Sequence, residues 1–248
     1  MRYFLRIRYH GAYFHGWQIQ PNALTVQQVV QEVLSEMLHA EVETVGCGRT
    51  DAGVHADDFY LHFDTDKTAE EMSDFLFRLK ARKIKGIQFR ELFPVKEDAH
   101  ARYSATQRTY EYRIADERNP FLDGLVHFVR SFPEIESMNT AAGYLNGRQD
   151  FSCFSRSNTQ VNNYLCDVRE AGWAMQGSVL VFKISADRFL RNMVRAIVGT
   201  MLEIGEGKRN ADWMKEVIQS QSRAEAGSSA EACGLFLTRV EYPDSIRL

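Results

Sequence analysis

What the chain lacks narrows the field first. It has four cysteines, Cys47, Cys153, Cys166 and Cys233, and no two of them form a CxxC pair. That scatter argues against a disulfide framework or a zinc site and fits reduced thiols in a cytoplasmic protein. No apolar run approaches the roughly 20 residues that cross a bilayer, so no membrane partner is expected. The opening MRYFLRIRYHG carries arginines among its apolar residues, which does not suit a secretory signal. GxxxxGK[ST] and GxSxG are both missing, which removes a P-loop and a hydrolase elbow. Nor is there an excess of positive charge. The 30 Lys and Arg face 33 Asp and Glu, for a formal charge of −3, so a nucleic-acid binder of this composition must gather its cations on one surface.

What is present is ordinary globular material, 248 residues with 44% hydrophobic and 25% charged side chains. Residues Arg2 to Tyr9 alternate, with Tyr3, Leu5, Ile7 and Tyr9 on one face and Arg2, Phe4, Arg6 and Arg8 on the other, as in a strand. Val26, Val29, Val30, Val33, Leu34, Met37 and Leu38 recur at helical spacing behind a Thr25/Gln28 capping box. EVETVGC and DFYLHFDT read as strands, TAEEMSDFLFRLK as a helix opened by a Thr68/Glu71 capping box, and GIQFRELF as a strand. The order strand, helix, strand, strand, helix, strand then recurs. QRTYEYRIA is a strand and SMNTAAGYLNG a helix ending at Gly147. YLCDVREAGW and SVLVFKISA are strands, RFLRNMVRAIVGTMLEIG is one long helix, and GLFLTRVEY closes the chain. An additional helix is expected near Asp212 to Gln219. The repeated order predicts an α+β fold of two split-βαβ halves with largely antiparallel sheets, residues 1–104 and 105–248. No low-complexity linker separates them, which favours a rigid pair with a cleft.

Chemistry-bearing residues concentrate in a few stretches. VGCGRTDAGVHA, Val45 to Ala56, sets Arg49 and Asp51 among three glycines. Arg49 and Asp51 can pair, and a glycine cluster marks unusual dihedrals or close approach of another molecule. The third glycine is misplaced for a dinucleotide loop, and a strand rather than a helix follows. Asp51 also fits a turn-forming aspartate. His55, Asp57, Asp58 and His62 offer metal-ligand chemistry, but strand alternation scatters them over two faces, so no metal is expected. In HARYSATQRTYEYRI, Tyr110 and Tyr112 share one strand face; spacing alone favours a core role over base stacking. Arg188, Arg191 and Arg195 stand at i, i+3 and i+7 of the expected long helix, as a solvated stripe or as arginines seeking an anionic partner, for which Asp51 is a candidate. RLKARKIK, Arg78 to Lys85, holds five basic residues and no acid. It reads as a solvated helix end or a phosphate-tracking patch, which Arg2, Arg6 and Arg8 would extend.

Four of these stretches together resemble the tRNA pseudouridine synthase A (TruA) family: YHGAYFHGWQIQPNALTVQ, CGRTDAGVHA, HARYSATQRTYEYRI and FLRNMVRAIVGTMLEIG, with GLFLTRVEYP closing the chain. The resemblance runs over nearly the full length. It implies two RRM-like halves joined in an extended sheet with a central catalytic cleft, a cytoplasmic homodimer, no cofactor, and tRNA as partner. The reaction implied is isomerisation of uridine to pseudouridine in the anticodon stem-loop, at positions 38 to 40. Asp51 then becomes the catalytic carboxylate, and Arg49 its partner or an aid to base extrusion. Tyr110 becomes the active-site tyrosine stacked on the flipped uracil, Arg195 the arginine that keeps Asp51 ionised, and Leu235 an apolar residue of the pocket wall.

The chain departs from the family pattern in three places. His10 stands where Asp is usual, KARKI (Lys80 to Ile84) where an Asn-Ala-x-Leu-Pro run is usual, and SNTQVNNY (Ser157 to Tyr164) lacks the usual basic residues. All three bear on RNA grip rather than on the residues assigned to chemistry. Two rival readings are a catalytically silent RNA-binding paralogue and a metal-dependent hydrolase built on His55 and the acidic cluster.

Overall fold

The computed structural model describes residues 1–156 and 163–248, so most of the SNTQVNNY stretch lies outside the described residues. They form two compact units, residues 1–106 with 237–248, and residues 107–236.

Unit one holds β1 (Arg2–Tyr9), α1 (Val26–Leu38), β2 (Val45–Gly46), β3 (His55–Asp64), α2 (Ala69–Met72), α3 (Phe75–Lys80) and β4 (Ile87–Val95). The chain returns at the end to complete β10 (Leu235–Glu241) in the order β4-β1-β3-β10, with β2 on β3. β1 runs antiparallel to both β3 and β4, with Arg2 opposite Asp64 and Tyr9 opposite Ala56 on β3. Its alternation is real but both faces are covered: Phe4, Leu5 and Ile7 are all fully buried. The three arginines of β1 do not make a positive stripe. Arg2 pairs with Asp64 at 2.8 Å, Arg6 with Asp58 at 2.5 Å and Arg8 with Asp57 at 3.3 Å, so β3 neutralises them one by one.

Local side chains set several element ends. Thr25 caps α1 by accepting from the Gln28 amide at 3.3 Å, but the Gln28 side chain donates to Glu32 instead of closing the box. The expected EVETVGC strand shortens to Val45–Gly46. The amides of Val42 and Thr44 donate to Ser35 Oγ and Gln31 Oε1 of α1, so they are lost to a ladder. The Thr68/Glu71 box is complete. The single expected helix behind it divides into α2 and α3 at Ser73–Asp74, where Ser73 Oγ donates to the Glu70 carbonyl at 2.7 Å.

Unit two holds β5 (Gln107–Ala115), β6 (His127–Phe128), α4 (Ile135–Gly143), β7 (Gly147–Asp150), β8 (Leu165–Gln176), β9 (Val179–Ala186), α5 (Met193–Gly205) and α6 (Trp213–Ser220). Its strands follow the antiparallel order β5-β9-β8-β7, with β6 parallel to β5. α4 begins earlier than expected because Glu134 caps it, accepting from the amides of Glu136 and Ser137. It ends at Gly143, and Gly147 at φ +94° opens β7 instead. α5 begins at Met193, five residues later than RFLRNMVRAIVGTMLEIG suggests, because Asn192 takes the left-handed conformation at φ +66°. Arg188 and Arg191 therefore precede the helix, and the expected arginine stripe reduces to Arg195 alone. The architecture is α+β, with helices packed on mostly antiparallel sheet.

Candidate active site

In unit one the glycine loop spans residues 47–54, between β2 and β3. Its backbone is tied down on both sides. Cys47 N donates to the Tyr60 carbonyl at 2.8 Å, Trp17 N to the Thr50 carbonyl at 3.3 Å, and Gly53 N to the Phe14 carbonyl at 3.4 Å. Thr50 Oγ1 shares a 2.8 Å hydrogen bond with Tyr9 OH. Asp51 stands at the head of a turn closed by Val54 N donating to its own carbonyl at 3.2 Å, and Gly53 supplies the positive φ of +81° that the turn needs. Asp51 thus satisfies the turn reading with its backbone, and its half-buried side chain stands on a braced loop.

The other glycines separate by what surrounds them. A Cβ on Gly46 would come within 2.6 Å of the Trp17 indole, so Gly46 serves packing. A Cβ on Gly48 would meet nothing within 4 Å. Arg49 is exposed and forms no ion pair among the described residues, which leaves the other expected role, an aid to base extrusion. The chain turns at Asp51, and Thr50 between the two is pinned to Tyr9 and Trp17.

The polar residues of β3 are structurally engaged. His55 Nδ1 accepts from Gly11 N at 3.0 Å and His62 Nδ1 from Ala101 N at 3.0 Å. Buried Asp58 accepts from Arg6 Nε and from Val240 N, the latter at 3.0 Å, tying β1 and β10 to β3. No group of three His, Cys, Asp or Glu side chains suited to a metal occurs among the described residues.

In unit two, Tyr110 and Tyr112 lie on β5 and have different fates. Tyr112 is fully buried, its OH donating to the Glu231 carbonyl at 2.9 Å and lying 3.1 Å from His127 Nδ1. Burial pushes its phenol strongly upward, so it stays a neutral donor. Tyr110 is half-buried, with Phe189 edge-on at 5.1 Å and 85°. The core role expected from spacing belongs to Tyr112, not to Tyr110.

Arg195 sits in the first turn of α5. Its Nε donates to the Ala230 carbonyl at 2.7 Å, and Ala230 N donates back to the Arg195 carbonyl at 2.9 Å. Because Glu231 receives Tyr112 and Ala230 receives Arg195, adjacent carbonyls bring these two side chains to one stretch of chain. Leu235, buried at the start of β10, follows directly. The expected site residues therefore divide, with Arg49 and Asp51 in unit one and Tyr110, Arg195 and Leu235 in unit two.

Residues 141–243 match the tRNA pseudouridine synthase family. Over 99% of its length the chain is 42% identical to a tRNA pseudouridine synthase A of Parabacteroides distasonis, covering 97% of that protein. The chain belongs to the tRNA pseudouridine synthase A family. It is 43% identical to the enzyme of that name from Porphyromonas gingivalis, over 100% of this chain and 99% of that one. With that of Bacteroides thetaiotaomicron it shares 44% identity, over 99% and 92%. A solved Cbf5-Nop10-Gar1 complex aligns with a TM-score of 0.37 and 10% identity, over 93% of this chain and 50% of that one.

In this pseudouridine synthase A chain residues 226–230, AGSSA, carry no periodicity or motif of their own. They form a strap lying directly on α5. A Cβ on Gly199 would come within 1.6 Å of the Ser228 carbonyl, and Gly227 N donates to Thr200 Oγ1 at 3.0 Å. Arg223 holds the strap by donating to the Ala226 and Gly227 carbonyls at 3.2 and 3.0 Å and to Ser229 Oγ at 3.2 Å. Asn192 Nδ2 also donates to Ser229 Oγ, at 2.7 Å. The strap ends on Ala230, the residue that fixes Arg195. Its sequence signal was the run of small residues, which reads as loop until a close-packed glycine on the facing helix gives it a seat.

Proposed function

We propose that this chain isomerises uridine to pseudouridine in the anticodon stem-loop of tRNA, at positions 38 to 40. The observation that carries the reading is the 42% identity over 99% of the chain to a curated tRNA pseudouridine synthase A. Family membership makes it an isomerase acting on tRNA. Supporting the assignment of roles is a loop braced on both sides that carries Asp51, with open space at Gly48 in the same loop.

In this reading residues 1–104 carry the catalytic aspartate and residues 105–248 the active-site tyrosine and arginine. The N1–C1′ bond breaks and the uracil keeps its electrons. The base turns, C5 bonds to C1′, C5 loses its proton and N1 gains one, so the product is an isomer. Asp51 is the essential carboxylate, acting on C1′, on the C2′ proton or on uracil C6. Arg195 is the guanidinium that keeps it ionised, and Arg49 aids extrusion of the base. Extrusion costs a few kcal/mol of stacking. Tyr110 stacks on the extruded uracil and shares in proton transfer, with its ring set edge-on by Phe189. Leu235 supplies apolar wall, which keeps water from capturing the sugar. The enzyme works as a homodimer in the cytoplasm, where tRNA is found. No helix among the described residues is long and apolar enough to cross a membrane.

The test is release of tritium from tRNA labelled at uridine C5. The wild type should release label to water, insensitively to chelators, and Asp51→Asn should not, while binding tRNA within about tenfold of the wild type. Near-normal release by Asp51→Asn would end the assignment. Binding without release by the wild type would favour a silent RNA-binding paralogue.

A further inference from the structure

The positive charge of unit one is sorted by pairing. Arg2, Arg6 and Arg8 are spent on β3 aspartates, Arg82 on Glu36, and Lys67 on Glu71. Lys80, Lys83 and Lys85 stand within six residues, are exposed, and form no ion pair among the described residues. Lys83 holds φ +43°, a left-handed conformation that a lysine seldom adopts, and Gly86 follows at φ +78°. Together they bend residues 81–86 sharply between α3 and β4.

This bend is coupled to the Asp51 loop. Lys85 Nζ lies 4.6 Å from the centroid of the half-exposed Tyr13 ring. A Cβ on Gly86 would come within 2.5 Å of that ring, so only glycine lets Tyr13 seat there. His10 N donates to the Gly86 carbonyl at 2.9 Å. One residue on, a Cβ on Gly11 would come within 2.2 Å of the Val54 carbonyl, and Phe14, beside Tyr13, receives the amide of Gly53. A short braced path therefore links Lys85 to the loop that carries Asp51.

We infer that Lys83 and Lys85, with Tyr13 seating the second, grip the phosphodiester backbone of the RNA substrate beside the Asp51 loop. This rests on the reading of RNA as substrate. A molecule of net charge −3 needs local cations to hold a polyanion. Exposed ammonium groups are point charges that suit phosphate and carry no base code. Lys83 holds its left-handed backbone with its ammonium group exposed to solvent.

The experiment measures the salt dependence of affinity for an unmodified tRNA transcript. The pair Lys83→Gln and Lys85→Gln should lower the slope of log K against log salt by about 0.7–0.9 for each lysine removed. KM should rise several-fold, and kcat at saturating tRNA should hold. Lys83→Gly should lower the slope equally without lowering the melting temperature, since glycine accepts that backbone. Lys208→Gln removes a lysine paired with Glu206 and should leave the slope alone. An unchanged slope in the Lys83 and Lys85 variants, or an equal loss in Lys208→Gln, overturns the inference while leaving the assigned reaction standing. Failure of the wild type to bind tRNA overturns both.

Discussion

Asp51 and Asp58 stand seven residues apart and live in different chemical worlds. Asp58 is buried in β3, with one oxygen on Arg6 and the other on the Val240 amide. Its hydrogen bonding is committed to holding three strands together. Asp51 is half-buried at the head of a turn, in a loop whose backbone is fixed from both sides and whose Gly48 has open space beside it. A carboxylate built into the ladder is structural. One carried on a braced loop outside it is the one proposed for chemistry.

Exchanging the two tests the contrast most harshly. Asp51→Asn should lower pseudouridine formation by about 10³-fold or more, some 4 kcal/mol of barrier, with little change in unfolding. Asp58→Asn should do the reverse. It leaves the part-buried Arg6 guanidinium with only Glu91, 3.9 Å away, and denaturant unfolding should show a loss of about 3 kcal/mol. The activity that survives should track the folded fraction. Equal stability loss in both variants would erase the distinction.

A pH series sharpens the same contrast through another β3 residue. Burial, then the charge of Arg2 and of His100, holds the His62 imidazole down at about 4, while Asp64 opposes them. Above the ordinary value of 6.5, His62 is neutral whether folded or unfolded. As pH falls from 6.5 toward 4 the unfolded chain takes a proton that the fold refuses, so stability is lost across that window, by at most about 3 kcal/mol. His62→Asn keeps an acceptor for Ala101 N and should flatten the loss, as followed by melting temperature against pH.

Unit two offers a milder version of the comparison. Arg223 touches the strap, and the strap touches Arg195. Arg223→Ala should lower kcat about tenfold with KM for tRNA held, and Arg223→Lys should recover part of it. In an Arg195→Lys background the Arg223 substitution should add little, because contacts in series are not additive. Full additivity would make Arg223 a general stabiliser.

The sequence showed elements well where a pattern is local. β1 and β5 run over the residues expected, because alternation and strand ends are written in adjacent side chains. It failed where a distant or unusual partner decided the outcome. The amides of Val42 and Thr44 were taken by α1, Asn192 took a left-handed turn that no periodicity announces, and Arg2 and Arg6 met aspartates more than fifty residues away. For the site, the glycines marked the Asp51 loop, while the role proposed for Asp51 came from the family resemblance. Tyr110 was not separable from Tyr112 by spacing, since which one is buried depends on Glu231 and His127. The strap was invisible because its information lies in Gly199, on another element.

The smallest expected effect probes the loop itself. Gly46→Ala pushes a methyl group into the Trp17 indole and should cost about 1–3 kcal/mol, as overpacking does. Gly48→Ala meets nothing and should change unfolding by about 0.5 kcal/mol or less. If Gly48 is kept small for the approach of a ribose or base, its methyl group should still slow turnover a few-fold. A Gly48→Ala enzyme with unaltered stability and unaltered turnover would show that the space beside Gly48 belongs to solvent. The argument for a substrate there would then rest on the aspartate alone.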